Sequence, residues 1–268
     1  MGSKTVCSPL KTNFEVNCRL PTADFIPMLH KTRGIVFHVT DFSESSVVVK
    51  VYTELFGLQS YLLNGIRNKK SKIKSAVLQP MSLLEMVVYH KERSGLQRIK
   101  EIRQQPQFGS IPFDVMKASM VMFINEVIYK SVKEEEENHE LFDFIFHAMQ
   151  LLDLQTKGNA DFHIRFLIQL TKYLGFFPNG TYSASTPVFN LQEGTFQQTE
   201  LVLPYFISSP LSNYFDRLIN TSLNDTAQTD VSVAQRRELI KKLLEYYALH
   251  ITGFGNIQSH RVLEEVWK

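Results

Sequence analysis

Between residues 31 and 103 the apolar side chains recur with a period of two. Ile35, Phe37 and Val39 alternate with Gly34, Val36 and His38, and Val47, Val49 and Val51 alternate with Ser46, Val48 and Lys50. β-Branched residues at that period are the mark of a strand with one face on a core. Further runs follow at residues 58–63, 83–90 and 96–102. The separators carry turn chemistry: Asp41-Phe42-Ser43-Glu44, Phe56-Gly57, Asn64-Gly65 and Ser94-Gly95. Five short strands in about 70 residues close a small barrel and leave no sheet edge exposed. A partly open barrel of the oligonucleotide-binding (OB) type is the expected form.

After Gln104-Gln105-Pro106 the period changes. Met120, Phe123, Ile124, Val127 and Ile128 fall on one face of a helix, as do Leu141, Phe144, Ile145, Ala148, Met149 and Leu152. Near the end, Ile240, Leu243, Leu244, Tyr247, Ala248 and Ile251 repeat the spacing. A helix over residues 161–174 stops at Gly175, a usual C-terminal stop. Single helices cannot bury such stripes, so they must pack as a bundle. Residues 175–210 have no helical period and hold the apolar pieces 187–191 and 201–206; an insertion of this length is functional or carries a small β-element. Residues 1–27 contain Pro9, Pro21 and Pro27 and no sustained pattern. We expect a disordered or extra N-terminal segment there, or alternatively an arm with its own binding role. The predicted class is α+β: a five-stranded OB-type barrel over 28–104, then an all-α helical bundle over 105–268 with an irregular or β insertion at about 175–210.

Composition narrows the class without naming a function. Hydrophobic residues make up 44% and charged residues 21%, the balance of a globular chain. No apolar run approaches the ~20 residues of a membrane span, and the start lacks the form of a secretory signal. A cytoplasmic protein is expected, in which the Asn-x-Ser/Thr matches at Asn179, Asn220 and Asn224 carry no meaning. Both cysteines, Cys7 and Cys18, precede residue 28, so no disulfide framework or thiolate metal site is expected beyond it. The net charge of +2 hides a split: residues 31–103 carry 13 cations against six acids, residues 104–268 carry 13 against 19. One module is built to meet a polyanion and the other is not.

The densest charge is Gly65-Ile66-Arg67-Asn68-Lys69-Lys70-Ser71-Lys72-Ile73-Lys74, five cations in ten residues and no acid. Cations that neutralise phosphates release bound counterions, and a loop between barrel strands is where such a segment tracks a nucleic-acid strand. A solvated basic loop with no partner is the plainer alternative. Phe37, Phe42, Tyr52, Phe56, Tyr61 and Tyr89 interleave with this region. A barrel this small needs bulky interior residues, but Tyr61 and Tyr52 sit on the more polar faces of their strands and are preferred as exposed base-stacking rings. Catalytic motifs are absent: no GxxxxGK[ST], GxGxxG, GxSxG or HExxH, and the histidines are scattered. A non-enzymatic binding protein is expected, with no cofactor and no metal.

The barrel residues resemble the bacterial recombination mediator family RecO. The resemblance runs through Lys31-Thr32-Arg33-Gly34-Ile35-Val36, Asp41-Phe42-Ser43-Glu44-Ser45 and Tyr52-Thr53-Glu54-Leu55-Phe56-Gly57. It continues in Gly65-Ile66-Arg67, Lys70-Ser71-Lys72 and Leu78-Gln79-Pro80. Leu174-Gly175-Phe176-Phe177-Pro178 and Ser259-His260-Arg261-Val262-Leu263, at a last helix, are similar more loosely. The resemblance implies an OB domain followed by a helical domain. It implies binding of single- and double-stranded DNA, strand annealing, and work with RecR, often RecF, to place RecA on strands coated by single-strand-binding protein (SSB). The family's basic barrel residues correspond here to Lys31, Arg33, Arg67, Lys69, Lys70, Lys72 and Lys74. Many members carry a four-cysteine zinc module after the Gly-Phe-Phe-Pro-like segment. This chain has no cysteine there, so its insertion is expected to hold its shape by apolar packing. An interaction scaffold with an OB-like barrel and no direct nucleic-acid role is the rival reading.

Overall fold

Strand β1 (Met28–Asp41) is long enough to serve two neighbours. Its first half pairs antiparallel with β4 (Leu83–His90) and its second half with β2 (Val47–Thr53). β2 pairs with β3 (Gly57–Leu63), β3 runs parallel to β5 (Gln97–Gln104), and β5 returns to β4, closing the barrel in the order β1-β2-β3-β5-β4. All five strands lie where the alternation predicts them. The computed structural model describes residues 28–66, 75–91, 94–156, 160–198, 205–225 and 231–266.

Both faces of β1 and β2 are covered, which simple alternation does not anticipate. Val36, Val49, Val51, Tyr61, Leu84, Met86 and Val88 fill the barrel interior. Ile35, Phe37, Tyr52 and Leu83 point the other way and join the core of the helical body. An irregularity between Val36 and His38 interrupts the pairing with β2 at Phe37. The Phe37 carbonyl accepts a hydrogen bond from the Asn125 amide at 3.1 Å. The barrel's outer surface is therefore one wall of the second core.

Among the described residues six α-helices follow: α1 (Val115–Ser131), α2 (His139–Leu154), α3 (Phe162–Tyr173), α4 (Leu211–Ile219), α5 (Val233–His250) and α6 (His260–Val266). Side-chain caps fix the starts of α1, α2 and α5. Asp114 accepts from Met116 N, Asn138 from Leu141 N, and Ser232 with Gln235 forms a capping box. Helix α4 was not anticipated, although Leu211, Tyr214, Phe215 and Leu218 follow the helical spacing and are buried. The segment joining barrel to body is clamped by Asp153, which accepts from the backbone N–H groups of Gly109, Ser110 and Ile111 at 2.8–2.9 Å. Where β2 turns into β3, Gly57 (φ 60°) presses against residues 134–136. A Cβ there would sit 2.2 Å from the Glu136 carbonyl oxygen, so only glycine fits.

The insertion does hold a small sheet, in the order β7 (Thr195–Gln197), β6 (Val188–Asn190), β8 (Phe206–Ile207). Phe189 packs edge-on against Phe196, Phe215 and Tyr246, with ring centroids 4.8–5.7 Å apart. Aromatic packing supplies its shape, as expected.

Candidate nucleic-acid interface

The solvent-facing residues of β1, β4 and β5 form three rows across the barrel. Strand pairing places Leu29, Tyr89 and Arg98 in the first, Lys31, Val87 and Glu101 in the second, and Arg33, Glu85 and Arg103 in the third. Between Val87 and Val88 the register slips, leaving Lys100 opposite no partner on β4. Such a bulge re-aims a side chain, and Lys100 is exposed.

The rows differ in how their charge is used. In the third, Arg103 pairs with Glu85, and Arg33 is fully engaged. The Arg33 guanidinium donates to both oxygens of Glu54 (2.7 and 2.8 Å) and to Asp143 of α2 (2.8 Å), and lies 4.9–5.1 Å from the ring centres of Phe142 and Phe146. The hydrogen bonds from Arg33 hold the Glu54 carboxyl below its ordinary range, against the opposing effect of burial. At the other end, Lys91, Arg98 and Lys100 are exposed and pair with no carboxylate among the described residues. Lys31 is exposed too, with Glu85 near enough to feel its charge. This end also shows apolar surface: Tyr89 is 37% exposed and Leu29 48%.

Two of the sequence-predicted site residues, Arg33 and Tyr61, do not stand free on the barrel surface. Arg33 is not an open phosphate contact, because two carboxylates already neutralise it; it ties β1 to α2. Tyr61 is not an exposed stacking ring, since it is 0% exposed and lies inside the barrel. Its strand face read as polar because of Gln59, whose amide instead folds back onto the Phe56 carbonyl at 2.8 Å. Tyr52 is likewise buried, stacked on Phe37 at 5.4 Å where the barrel meets the helices. Lys31 stands in solvent as expected. Arg67, Lys69, Lys70, Lys72 and Lys74 lie outside the described residues, as does the N-terminal segment 1–27.

The flanks of that basic segment are described. Ile66 is buried against the barrel interior and its N–H donates to the Ser45 carbonyl at 3.1 Å. On the far side a 3-10 turn, Ser75–Leu78, drops Leu78 into the same interior. Both described flanks thus lie on the barrel. The first of them follows β3, whose Leu62 is the parallel neighbour of Arg98. Sequence reading did not single out Lys91, Arg98 or Lys100. The alternation Arg98-Ile99-Lys100 was visible, but which face of β5 met solvent was not.

No group of three or more His, Cys, Asp or Glu side chains among the described residues could hold a metal ion. No described helix is long and apolar enough to cross a membrane. An open groove of about 790 Å³ runs between α2, α3 and the segment after α4, with Glu140 and Asp143 on its rim, the wrong sign for a polyanion.

Two family models match the chain: Recombination protein O N terminal over residues 28–106 and Recombination protein O C terminal over residues 112–256. Among known proteins it is similar to the DNA repair protein RecO of Flavobacterium psychrophilum, 35% identical over 242 residues, covering 88% of this chain and 98% of the relative. The DNA repair protein RecO of Bacteroides fragilis is 32% identical over 241 residues (90% and 100%). That of Porphyromonas gingivalis is 25% identical over 244 residues (90% and 100%). Matched in both its barrel and its helical body, the chain belongs to the recombination protein O family of DNA repair proteins.

Proposed function

We propose that this chain is a DNA-binding recombination mediator. It captures single strands and duplexes through the cations of its barrel, anneals complementary strands, and helps place RecA on SSB-coated strands together with RecR and RecF. The observation that carries this reading is the exposed set Lys31 on β1, Lys91 just after β4, and Arg98 and Lys100 on β5, with Arg98 beside the strand that leads into the basic segment. Arg67, Lys69, Lys70, Lys72 and Lys74 belong to the same surface in this reading, and Lys31 with them.

The mechanism needs no bond chemistry. Two DNA strands repel, and a cationic barrel that holds one while admitting the other lowers that barrier by releasing counterions from both. The deciding experiment joins salt titration to strand annealing. Lys69, Lys70 and Lys72 changed together to Ala should weaken oligonucleotide binding across all sequences and lower the slope of log affinity on log salt by about 2, since each single-strand phosphate contact contributes ~0.7. Annealing of complementary strands, bare or SSB-coated, should slow in parallel. An unchanged slope would remove the basic segment from the interface. Wild-type binding that vanishes at modest salt would favour a protein-interaction scaffold instead.

A further inference from the structure

We infer that the Leu29–Tyr89–Arg98 row seats an unpaired base, so that this end of the barrel distinguishes single-stranded from duplex DNA. The inference rests on the DNA-binding reading above and adds to it a residue and a selectivity.

Tyr89 sits in the middle of its row, flanked by Leu29 on β1 and Arg98 on β5. Of the barrel's six Phe and Tyr rings, Phe37, Tyr52 and Tyr61 are at most 1% exposed, Phe56 packs against the barrel interior, and Phe42 is exposed in the turn between β1 and β2. Tyr89 keeps more than a third of its surface in solvent, and Leu29 beside it and Leu96, two residues before Arg98, are exposed as well. An apolar platform with Arg98 in its row, and with the exposed Lys91 and Lys100 two residues beyond Tyr89 and Arg98 along the chain, matches a nucleotide with a free base. A ring or methylene surface takes the base's face, and the surrounding cations take the phosphates on either side. The bulge matters here, because it turns Lys100 out of the ladder beside the row it serves. Duplex DNA offers the same phosphates but hides its base faces in the stack. The cations therefore act on both forms and Tyr89 on one.

The test compares a thymidine oligonucleotide with a duplex of equal length, titrated at fixed salt against the full chain. Tyr89→Ala should lower affinity for the single strand about tenfold and leave the duplex within about twofold, the loss of one stacked base. Tyr89→Phe should behave as wild type, because the ring and not the hydroxyl does the stacking. Arg98→Gln with Lys100→Gln should weaken both ligands together and reduce the salt dependence of each. Equal losses on both ligands after Tyr89→Ala would overturn the inference, as would no loss on either. The latter would leave the patch to a protein partner. A wild-type chain that bound neither ligand would instead sink the DNA-binding reading itself, so the two failures separate.

Discussion

Two ends of one barrel face carry similar residues to different purposes. Arg33 and Arg98 both project outward, from the third and the first row, yet Arg33 meets Glu54 and Asp143 while Arg98 meets no carboxylate among the described residues. The barrel's surplus of cations is a property of the count; its availability is a property of the pairing. A charge neutralised within the fold releases no counterions when DNA arrives, whereas an unpaired one does. The paired end works as a joint between barrel and helices, and the unpaired end is left as surface.

The sharpest break of this comparison is Arg33→Ala. Losing charged hydrogen bonds to two carboxylates and the contact with two aromatic rings should cost about 2–3 kcal/mol of stability, read as a lower urea midpoint. Arg33→Lys should recover only part, since an ammonium cannot reproduce the two-pronged contact with Glu54. The salt slope of DNA binding should not move. If it falls by as much as a lost phosphate contact requires, Arg33 belongs to the interface after all. The same joint has a pH signature. Because Arg33 depresses the Glu54 carboxyl, the stabilisation is fully present above the ordinary value of 4.5 and drains away as pH falls through the depressed one. The stability gap between wild type and Arg33→Ala should therefore narrow in acid.

The reverse change is the double variant Arg98→Ala with Lys100→Ala. Exposed side chains without partners should cost within about 0.5 kcal/mol of stability. Single-strand binding should lose about 1.4 from its salt slope, two contacts at ~0.7 each. A stability loss matching that of Arg33→Ala would erase the distinction between the two ends.

Much of this was legible in the residues, and what was not has a physical cause. Period two located all five strands because each has a face in the barrel, and the turn residues fixed where they stop. The alternation could not say that β1 and β2 are buried on both faces, since the second cover comes from helices more than 60 residues away. The role of Arg33 was hidden for the same reason: Asp143 lies 110 residues downstream. Tyr61 was misassigned because Gln59 satisfies itself on a backbone carbonyl, which makes an inward face read as polar. Helix α4 keeps the spacing in its four apolar residues, but at nine residues it is shorter than the window over which a helical period stands out. Lys100 could not have been found at all. Its exposure beside the ladder comes with a bulge, which only the β4–β5 register reveals.

Glu85→Gln sharpens the comparison from within the paired row. It removes the carboxylate that engages Arg103 and sits near Lys31, so Arg103 changes from paired to available and Lys31 loses a nearby negative charge. The salt slope of DNA binding should steepen by up to ~0.7 per freed cation, and affinity at low salt should rise a few-fold. Constant affinity would show that the third row lies beyond the reach of bound DNA, which would place the boundary of the interface between the second and third rows.

The smallest effect should come from Tyr52→Phe, set against Tyr89→Phe on the open face. The Tyr52 hydroxyl is buried with no hydrogen-bond partner among the described residues. Burial, with a further push from Glu134, drives its phenol well above the ordinary value. A buried hydroxyl that makes no hydrogen bond costs its desolvation and returns nothing, while the ring keeps its packing on Phe37 and Phe142. Tyr52→Phe should leave thermal stability unchanged or raise it by about 1 kcal/mol, with DNA binding untouched. A clear loss of stability would mean that the hydroxyl has a partner such as a buried water, and that the junction between barrel and helices is wetter than its apolar lining implies.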